Sequence, residues 1–271
     1  MKQLKIGQHF GESLKTLQLE GTILTEAGYM PNIEVPWHYH ENAYFFYHLR
    51  GHLDEVNKKQ TLTCKPGTLL FHHWQDPHYD TNFSSDARFF HIEIENAWFS
   101  KHHLSPAILE GSMVLNNPAL KSIFHKIFRE LKHNDVMTQL SIDGLLSQAF
   151  ALVVRQLLNK KPGQPSWIKK VKEILNDAEI HEITLRKLSD ETGLHPVHLS
   201  KEFPKYFSMN FGEYLRSIRM GKAMKLLNDP KLKITEIAFL CGFSDQSHFI
   251  RSFRDLTGTT PLKYRKSIFR D

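Results

Sequence analysis

The chain has almost no cysteine. Among its 271 residues only Cys64 and Cys241 are cysteines, and they stand far apart. Two thiols make neither the disulfide framework of a small secreted domain nor the ligand set of a structural zinc site. A reducing compartment is the expectation. Long apolar runs are missing too. The most apolar stretch, AFALVV at 149–154, falls far short of the ~20 residues that span a bilayer. The opening segment, MKQLKIGQHFGESLK, has no apolar core of signal-peptide length. These absences imply a soluble, cytoplasmic protein with no membrane partner.

A basic excess is missing from the first part of the chain. Residues 1–160 carry 15 Lys+Arg against 16 Asp+Glu, whereas residues 161–271 carry 20 against 13. The net charge of +6 therefore resides in the C-terminal part, at +7, where it favours anionic partners. Histidine runs the other way, with 11 of 17 before residue 104. The length suits about two domains.

Short runs rich in Val, Ile, Thr, Tyr and Phe fill the chain to about residue 105, among them GTILTEAGY, ENAYFFYHLRG, TLTCKPGTLLFHH and ARFFHIEIE. Turn residues separate them, which predicts many short strands in a sandwich or barrel. In ARFFHIEIE, Phe90, Ile92 and Ile94 alternate with His91, Glu93 and Glu95. After Pro106 the period changes. From Asn117 to Asn159 apolar residues recur at three and four, through Leu120, Phe124, Ile127 and Leu131, then Ile142, Leu146, Phe150 and Val153. Two amphipathic helices follow from that spacing. They pack on the β-domain, or one of them forms a dimer seam; the stripe alone does not choose. The Pro- and Gly-bearing stretch NKKPGQPSW, 159–167, marks a linker.

Beyond the linker the sequence repeats itself. LRKLSDETGLHPVHLSKEF (185–203) aligns with ITEIAFLCGFSDQSHFIRSF (234–253) at an offset of 49 that becomes 50 after a one-residue insertion. Each copy has a short apolar-spaced helix, a small residue (Ser189 or Ala238) where two helices cross, and a Gly suited to a left-handed turn. Each then opens a second helix, with Pro196 in the first turn of one and Ser244 and Asp245 as caps of the other. Leu199 and Phe203, or Phe249 and Phe253, bury one face. The free face offers Val197, His198, Ser200, Lys201 and Lys205 in the first copy, and Gln246, Ser247, Ile250, Arg251 and Arg254 in the second. Arg and Gln pair with guanine and adenine edges, small apolar groups meet the thymine methyl, and Lys holds phosphates. Two such units in a basic segment predict binding to double-stranded DNA.

The stretch I-x-x-I-A-x-x-x-G-F-x-x-x-x-x-F-x-R-x-F-x-x-x-x-G-x-T-P-x-x-Y-R, Ile234 to Arg265, resembles the signature of the AraC/XylS family of transcription regulators. The resemblance implies seven helices over about 167–271: two helix-turn-helix units joined by a long helix at 211–229. It also implies that Val197 and Lys201, with Gln246 and Arg251, read adjacent major grooves. Two positions depart from the pattern. Pro204 stands where a basic residue is usual, which predicts a kink or an early helix end after Phe203. Ser208 stands where the family usually has Gly.

The N-terminal stretch PWHYHENAYFFYHLRG, 36–51, is similar to the first motif of the cupin barrel, and KPGTLLFHHWQDPHYD to a degraded second motif. The likeness rests on His38 and His40, Gly51, Gly67 and the Pro77-His78 pair. Residues two apart in a strand share a face, so His38 and His40 can point inward together and meet His78. Three imidazoles suit Zn, Fe, Ni or Cu. Metal-binding cupins usually add a Glu where Tyr44 stands, and Glu41 is on the wrong spacing, so no metal cofactor is expected. The expected occupant is a small-molecule effector such as a sugar, met by His38, His40, Tyr44, Phe46, Trp74 and His78, with Trp37 beside them; the alternative is that backbone carbonyls satisfy the histidines.

The expected fold is α+β, with a cupin-like jelly-roll barrel (1–108), a helical linker and dimerisation region (109–163) and an all-α double helix-turn-helix (164–271). The expected function is ligand-responsive transcription regulation, with activation favoured. Its partners would be promoter DNA in the nucleoid, the effector, RNA polymerase and a second copy of the chain. Two rivals remain at this stage: a metal-dependent cupin enzyme with appended DNA-binding helices, and a constitutive regulator whose barrel is a dimer scaffold.

Overall fold

Strand-forming residues of the first part of the chain pair into two sheets. One runs β1 (Lys2–Leu4), β4 (Val35–His40), β9 (His78–Thr81), β6 (Leu53–Asn57), β7 (Thr61–Cys64). The other runs β11 (Met113–Val114), β8 (Leu69–His72), β5 (Ala43–Arg50), β10 (Arg88–Ile94), β3 (Thr22–Gly28), β2 (Glu12–Leu19). The computed structural model describes residues 1–30, 33–58, 60–105, 109, 111–158, 165–177, 182–207 and 209–269. Ser208 and most of the expected linker lie outside the described residues, as does Pro106. The chain forms two compact units, Met1–Asn117 with Ile123–Leu146 and Pro118–Ser122 with Ser147–Asp271.

The stretch expected to be β-rich to about residue 105 also holds a short helix, α1 (Asn96–Lys101), and the sheet takes its edge strand β11 from beyond residue 108. The expected amphipathic helices are α2 (Pro118–His133) and α3 (Thr138–Leu158). Period-two alternation on β5 and β10 sends alternate residues to opposite faces. Phe45 meets Phe124 of α2 with ring centroids 4.9 Å apart, and Phe90 meets Phe128 at 5.3 Å. Tyr47 Oη lies 2.6 Å from His125 Nε2 on the same side. Trp98 of α1 is fully buried and donates to Asp143 of α3 at 3.2 Å. The helices thus cover the aromatic outer face of the sheet.

The inner face divides. Val35, Phe46, Leu53, Cys64, Leu70, Phe83 and Phe89 form an apolar core between the two sheets. Burial of each large side chain there stabilises the barrel by roughly 1.5–3 kcal/mol. Beside that core the interior turns polar: His38, His40, His72, His78, His91, Glu55 and Glu93 are all buried.

The second unit holds α4 (Ser166–Asp177), α5 (Leu185–Thr192), α6 (Pro196–Phe207), α7 (Phe211–Leu227), α8 (Ile234–Leu240), α9 (Gln246–Thr257) and α10 (Pro261–Phe269). These are seven helices among the described residues, as the resemblance implies. Three of these starts show their chemical reason. Thr184 caps α5 by accepting from Lys187 N, Asn210 and Glu213 close a reciprocal capping box on α7, and the Asp245 side chain accepts from His248 N at 2.7 Å to cap α9. Gly193 and Gly242, at φ +70° and +77°, make the left-handed turns between the helices of each pair. A β-branched residue at either would be strained.

Of the kink or early end expected at Pro204, the early end does not occur; α6 continues to Phe207. The proline ring sits on the exposed face. Past it, Phe207 stacks on Phe203 at 4.1 Å and meets Tyr214 edge-on at 5.3 Å. Burying that aromatic offsets the hydrogen bond that the proline removes. Among the described residues no helix is long and apolar enough to cross a membrane.

Candidate functional site

Register builds the site in the barrel. Strands β4 and β9 pair so that His38 stands directly opposite His78, with ring centroids 4.2 Å apart. His40, two residues along β4, shares their face. One ring nitrogen from each of the three lies within 4.8 Å of the others. Backbone carbonyls fix two tautomers. His38 Nδ1 donates to Pro36 O at 2.9 Å, and His78 Nδ1 donates to Asp76 O at 3.2 Å. A carbonyl only accepts, so each Nδ1 carries the proton and each Nε2 keeps its lone pair. Tyr44, in the place of the absent Glu, donates its hydroxyl to His78 Nε2 at 3.0 Å.

Burial keeps this cluster neutral. It lowers His38 and His40, and it pushes His78 down to about 3, helped by the charge of His72. Tyr44 is held above the ordinary phenol range, first by burial and then by Glu55, so it retains its proton to donate. Neutral imidazoles with fixed tautomers are what a metal ion requires of nitrogen ligands. His40 Nδ1 and His91 Nε2 are buried with no hydrogen-bond partner among the described residues. Orphaned polar atoms of this kind ask for a ligand or an ion.

Carboxylates that the sequence reading missed stand nearby. Glu55 of β6 faces Asp80 of β9 across the ladder, and its Oε2 lies 3.2 Å from His72 Nε2. Burial opposes ionisation of Glu55, but the charge and hydrogen bond of His72 outweigh it and draw its pKa down. Asp80 shifts up through burial and the neighbouring charge of Glu55. Glu93 accepts from Gly7 N through both oxygens, at 3.0 and 3.2 Å, and burial raises it to about 7. His91 and Glu93 were visible in the alternation of β10. The sign of that alternation was not, because both faces of the strand are covered.

Of the residues expected to meet an effector, His38, His40, Tyr44, Phe46 and His78 line the cavity together. Trp74 does not. The chain turns at Gln75, φ +64°, and Trp74 stacks on His73 at 3.8 Å. Trp37 is partly exposed against Tyr79. The room open to the centre of a water-sized sphere is about 20 Å³. A water needs about 10–15 Å³ on that measure. The space suits an ion or a water, and is smaller than a sugar needs.

In the C-terminal unit the residues expected to read DNA stand on α6 and α9. On α6, Leu199 and Phe203 are fully buried, while Val197, His198, Ser200 and Lys201 are exposed. On α9, Phe249 and Phe253 are fully buried. Ser247, Arg251 and Arg254 are exposed, and Gln246 and Ile250 are half-buried. Lys205 is engaged by Glu202 at 2.7 Å. Helix α9 exposes two guanidinium-bearing positions one turn apart; α6 has Pro204 where the second would stand.

The chain thus combines a cupin-like barrel with two helix-turn-helix units. A model of the AraC-like ligand binding domain matches residues 21–150, and a model of a helix-turn-helix domain matches residues 188–267. The chain therefore carries an AraC-like ligand binding domain and a helix-turn-helix domain. It is 36% identical over 115 residues to the HTH-type transcriptional regulator YpdC of Escherichia coli, covering 41% of this chain and 40% of that one. It is 31% identical over 103 residues to the Msm operon regulatory protein of Streptococcus mutans, covering 38% and 37%. The matched stretch thus spans less than half the length of these curated relatives. Among solved structures, apo ToxT from Vibrio cholerae is similar at 14% identity and a TM-score of 0.42, covering 90% of this chain and 97% of that one. The C-terminal domain of the response regulator yesN from Fusobacterium nucleatum is similar at 34% identity and a TM-score of 0.35, covering 37% and 99%.

Proposed function

We propose that this protein is a sequence-specific DNA-binding transcription regulator in which α6 and α9 read major-groove edges and the barrel is the sensor. The observation that carries this is the matched pair of helices, each anchored by two buried apolar residues and each presenting polar side chains to solvent. Homodimerisation, activation and recruitment of RNA polymerase belong to the proposal on family grounds. Arg251 is exposed on α9 and suits a guanine edge. Arg251→Ala should weaken binding by about 1–3 kcal/mol at one base position of the selected site. Selection from a randomised duplex library, repeated with the variant, measures this. A loss equal across all sequences would make Arg251 a phosphate contact, and no enriched motif for the full-length protein would sink the reading.

A second reading concerns what the barrel senses. The three converging imidazoles with neutral, tautomer-fixed rings, in a space of ion size, support a divalent transition metal held by His38, His40 and His78 as the sensed species. Such an ion would supply positive charge and fixed coordination at the barrel's centre. The chain's own residues would hold it: His38 and His78 through Nε2, with Tyr44 within reach of His78. Titration of apo full-length protein with Co²⁺, read by its visible absorption, should show one equivalent bound, and His78→Ala should abolish it. Absence of binding, or binding that His78→Ala leaves intact, would remove the metal and leave the cavity to water.

A further inference from the structure

The second helix-turn-helix unit contains a contact that its partner lacks. Thr235 is the second residue of α8, and Gln246 is the first residue of α9. Thr235 Oγ1 donates to Gln246 Oε1 at 2.7 Å. That length fits an O–H···O bond, whose mode is about 2.7–2.8 Å, better than an N–H···O bond at about 2.9–3.0 Å. The amide is therefore held oxygen-inward, toward α8, with its nitrogen outward. The matching positions of the first unit, by the same offsets of 49 and 50, are Arg186 and Pro196. No carboxamide stands there.

We propose that Thr235 sets base specificity by fixing the Gln246 amide, so that Gln246 offers DNA only its N–H donors. A free glutamine pairs with adenine by using both ends, its oxygen accepting from N6 and its nitrogen donating to N7. With Oε1 turned back and already accepting, that bidentate pair cannot form. The outward NH₂ instead matches edges that only accept. In the major groove guanine presents two adjacent acceptors, N7 and O6, whereas adenine presents one acceptor beside a donor. Gln246 at the start of α9 thus selects guanine over adenine. Thr235 never touches the base. It is a positioning residue, exposed on α8, with no part in the buried core.

This inference rests on α9 being a DNA-reading helix, and its test separates the two. The site selected by wild-type full-length protein is varied one base pair at a time, and binding is measured for wild type, Thr235→Val, Thr235→Ser, Gln246→Ala and the double variant Thr235→Val/Gln246→Ala. Wild type should prefer guanine over adenine at one position by about tenfold. Thr235→Val keeps the shape of the side chain and loses the donor, so the preference should shrink several-fold as adenine gains. Thr235→Ser, which keeps the hydroxyl, should restore it. In the Gln246→Ala background Thr235→Val should have no further effect at that position. If Gln246→Ala changes binding at one position but Thr235→Val does not, Thr235 has no role and the inference is overturned. A uniform loss with Thr235→Val across all bases overturns it as well. If neither Gln246→Ala nor Arg251→Ala alters any base preference, the reading of α9 itself has failed.

Discussion

Phe253→Ala is expected to cost the C-terminal unit about 3–5 kcal/mol and to abolish DNA retardation at ordinary temperature. Phe253 is fully buried on the inner side of α9, with ring centroids 5.8 Å from Phe249 and 5.6 Å from Tyr264. Truncation removes apolar surface from the core and leaves a cavity that the short helices α8 and α9 cannot close without losing the turn at Gly242. A unit of this size has a total stability on the order of 5–15 kcal/mol, so one such loss takes a large share of it. The melting transition should fall by about 15 °C or more. Phe253→Leu, which keeps most of the volume, should cost less than about 1.5 kcal/mol and leave DNA binding measurable. Thermal melts of the two variants side by side decide the matter. Equal effects from Ala and Leu would mean that packing at this position is not what holds α9 in place.

Lys132→Met is expected to destabilise the N-terminal unit by about 3 kcal/mol, and adding Glu26→Gln should recover most of that. Glu26 is wholly buried on β3, in register with Phe90 on the helix-covered side of the sheet. Its carboxylate pairs with Lys132 Nζ of α2, and Arg88 Nε stands 3.5 Å away. Removing the lysine leaves a buried charge with the longer arginine contact alone. Removing both members leaves no buried carboxylate unpaired, the new amide oxygen still accepts from Arg88, and the methionine packs on the Phe128 ring over which the ammonium stood. Urea denaturation of the two single variants and the double gives the coupling. If the double variant is as unstable as the sum of the singles, the pair carries no mutual stabilisation.

The helical part of the molecule was the more legible in the sequence, because its signals are local. Gly193 and Gly242, the apolar positions three and four apart, and the cap at Asp245 each declare themselves within one turn of helix. The imidazole trio was legible for a different reason. Two of its members share one strand at a spacing of two, and the third follows a proline in a stretch similar to a known motif. Glu55, Asp80 and His72 escaped notice because each sits on a strand of four or five residues, too short to show which face is inside. Trp74 misled because its neighbourhood is aromatic, while its position depends on one backbone angle at the next residue. Pro204 misled because the penalty of a proline is read locally, whereas the packing of Phe207 on Phe203 and Tyr214 comes from the tertiary fold.

Tyr44 and Phe45 are adjacent in sequence and face opposite ways. Tyr44 holds a histidine inside the barrel through its hydroxyl, and Phe45 packs on Phe124 of α2 outside it. The wall of the chamber is therefore one peptide thick at this point. Any occupant that takes the lone pair of His78 must first evict the Tyr44 hydroxyl, and the backbone that would turn to release it is the backbone that seats Phe45 under the helix. The polar interior and the seat of the helix thus meet at two adjacent residues of one strand.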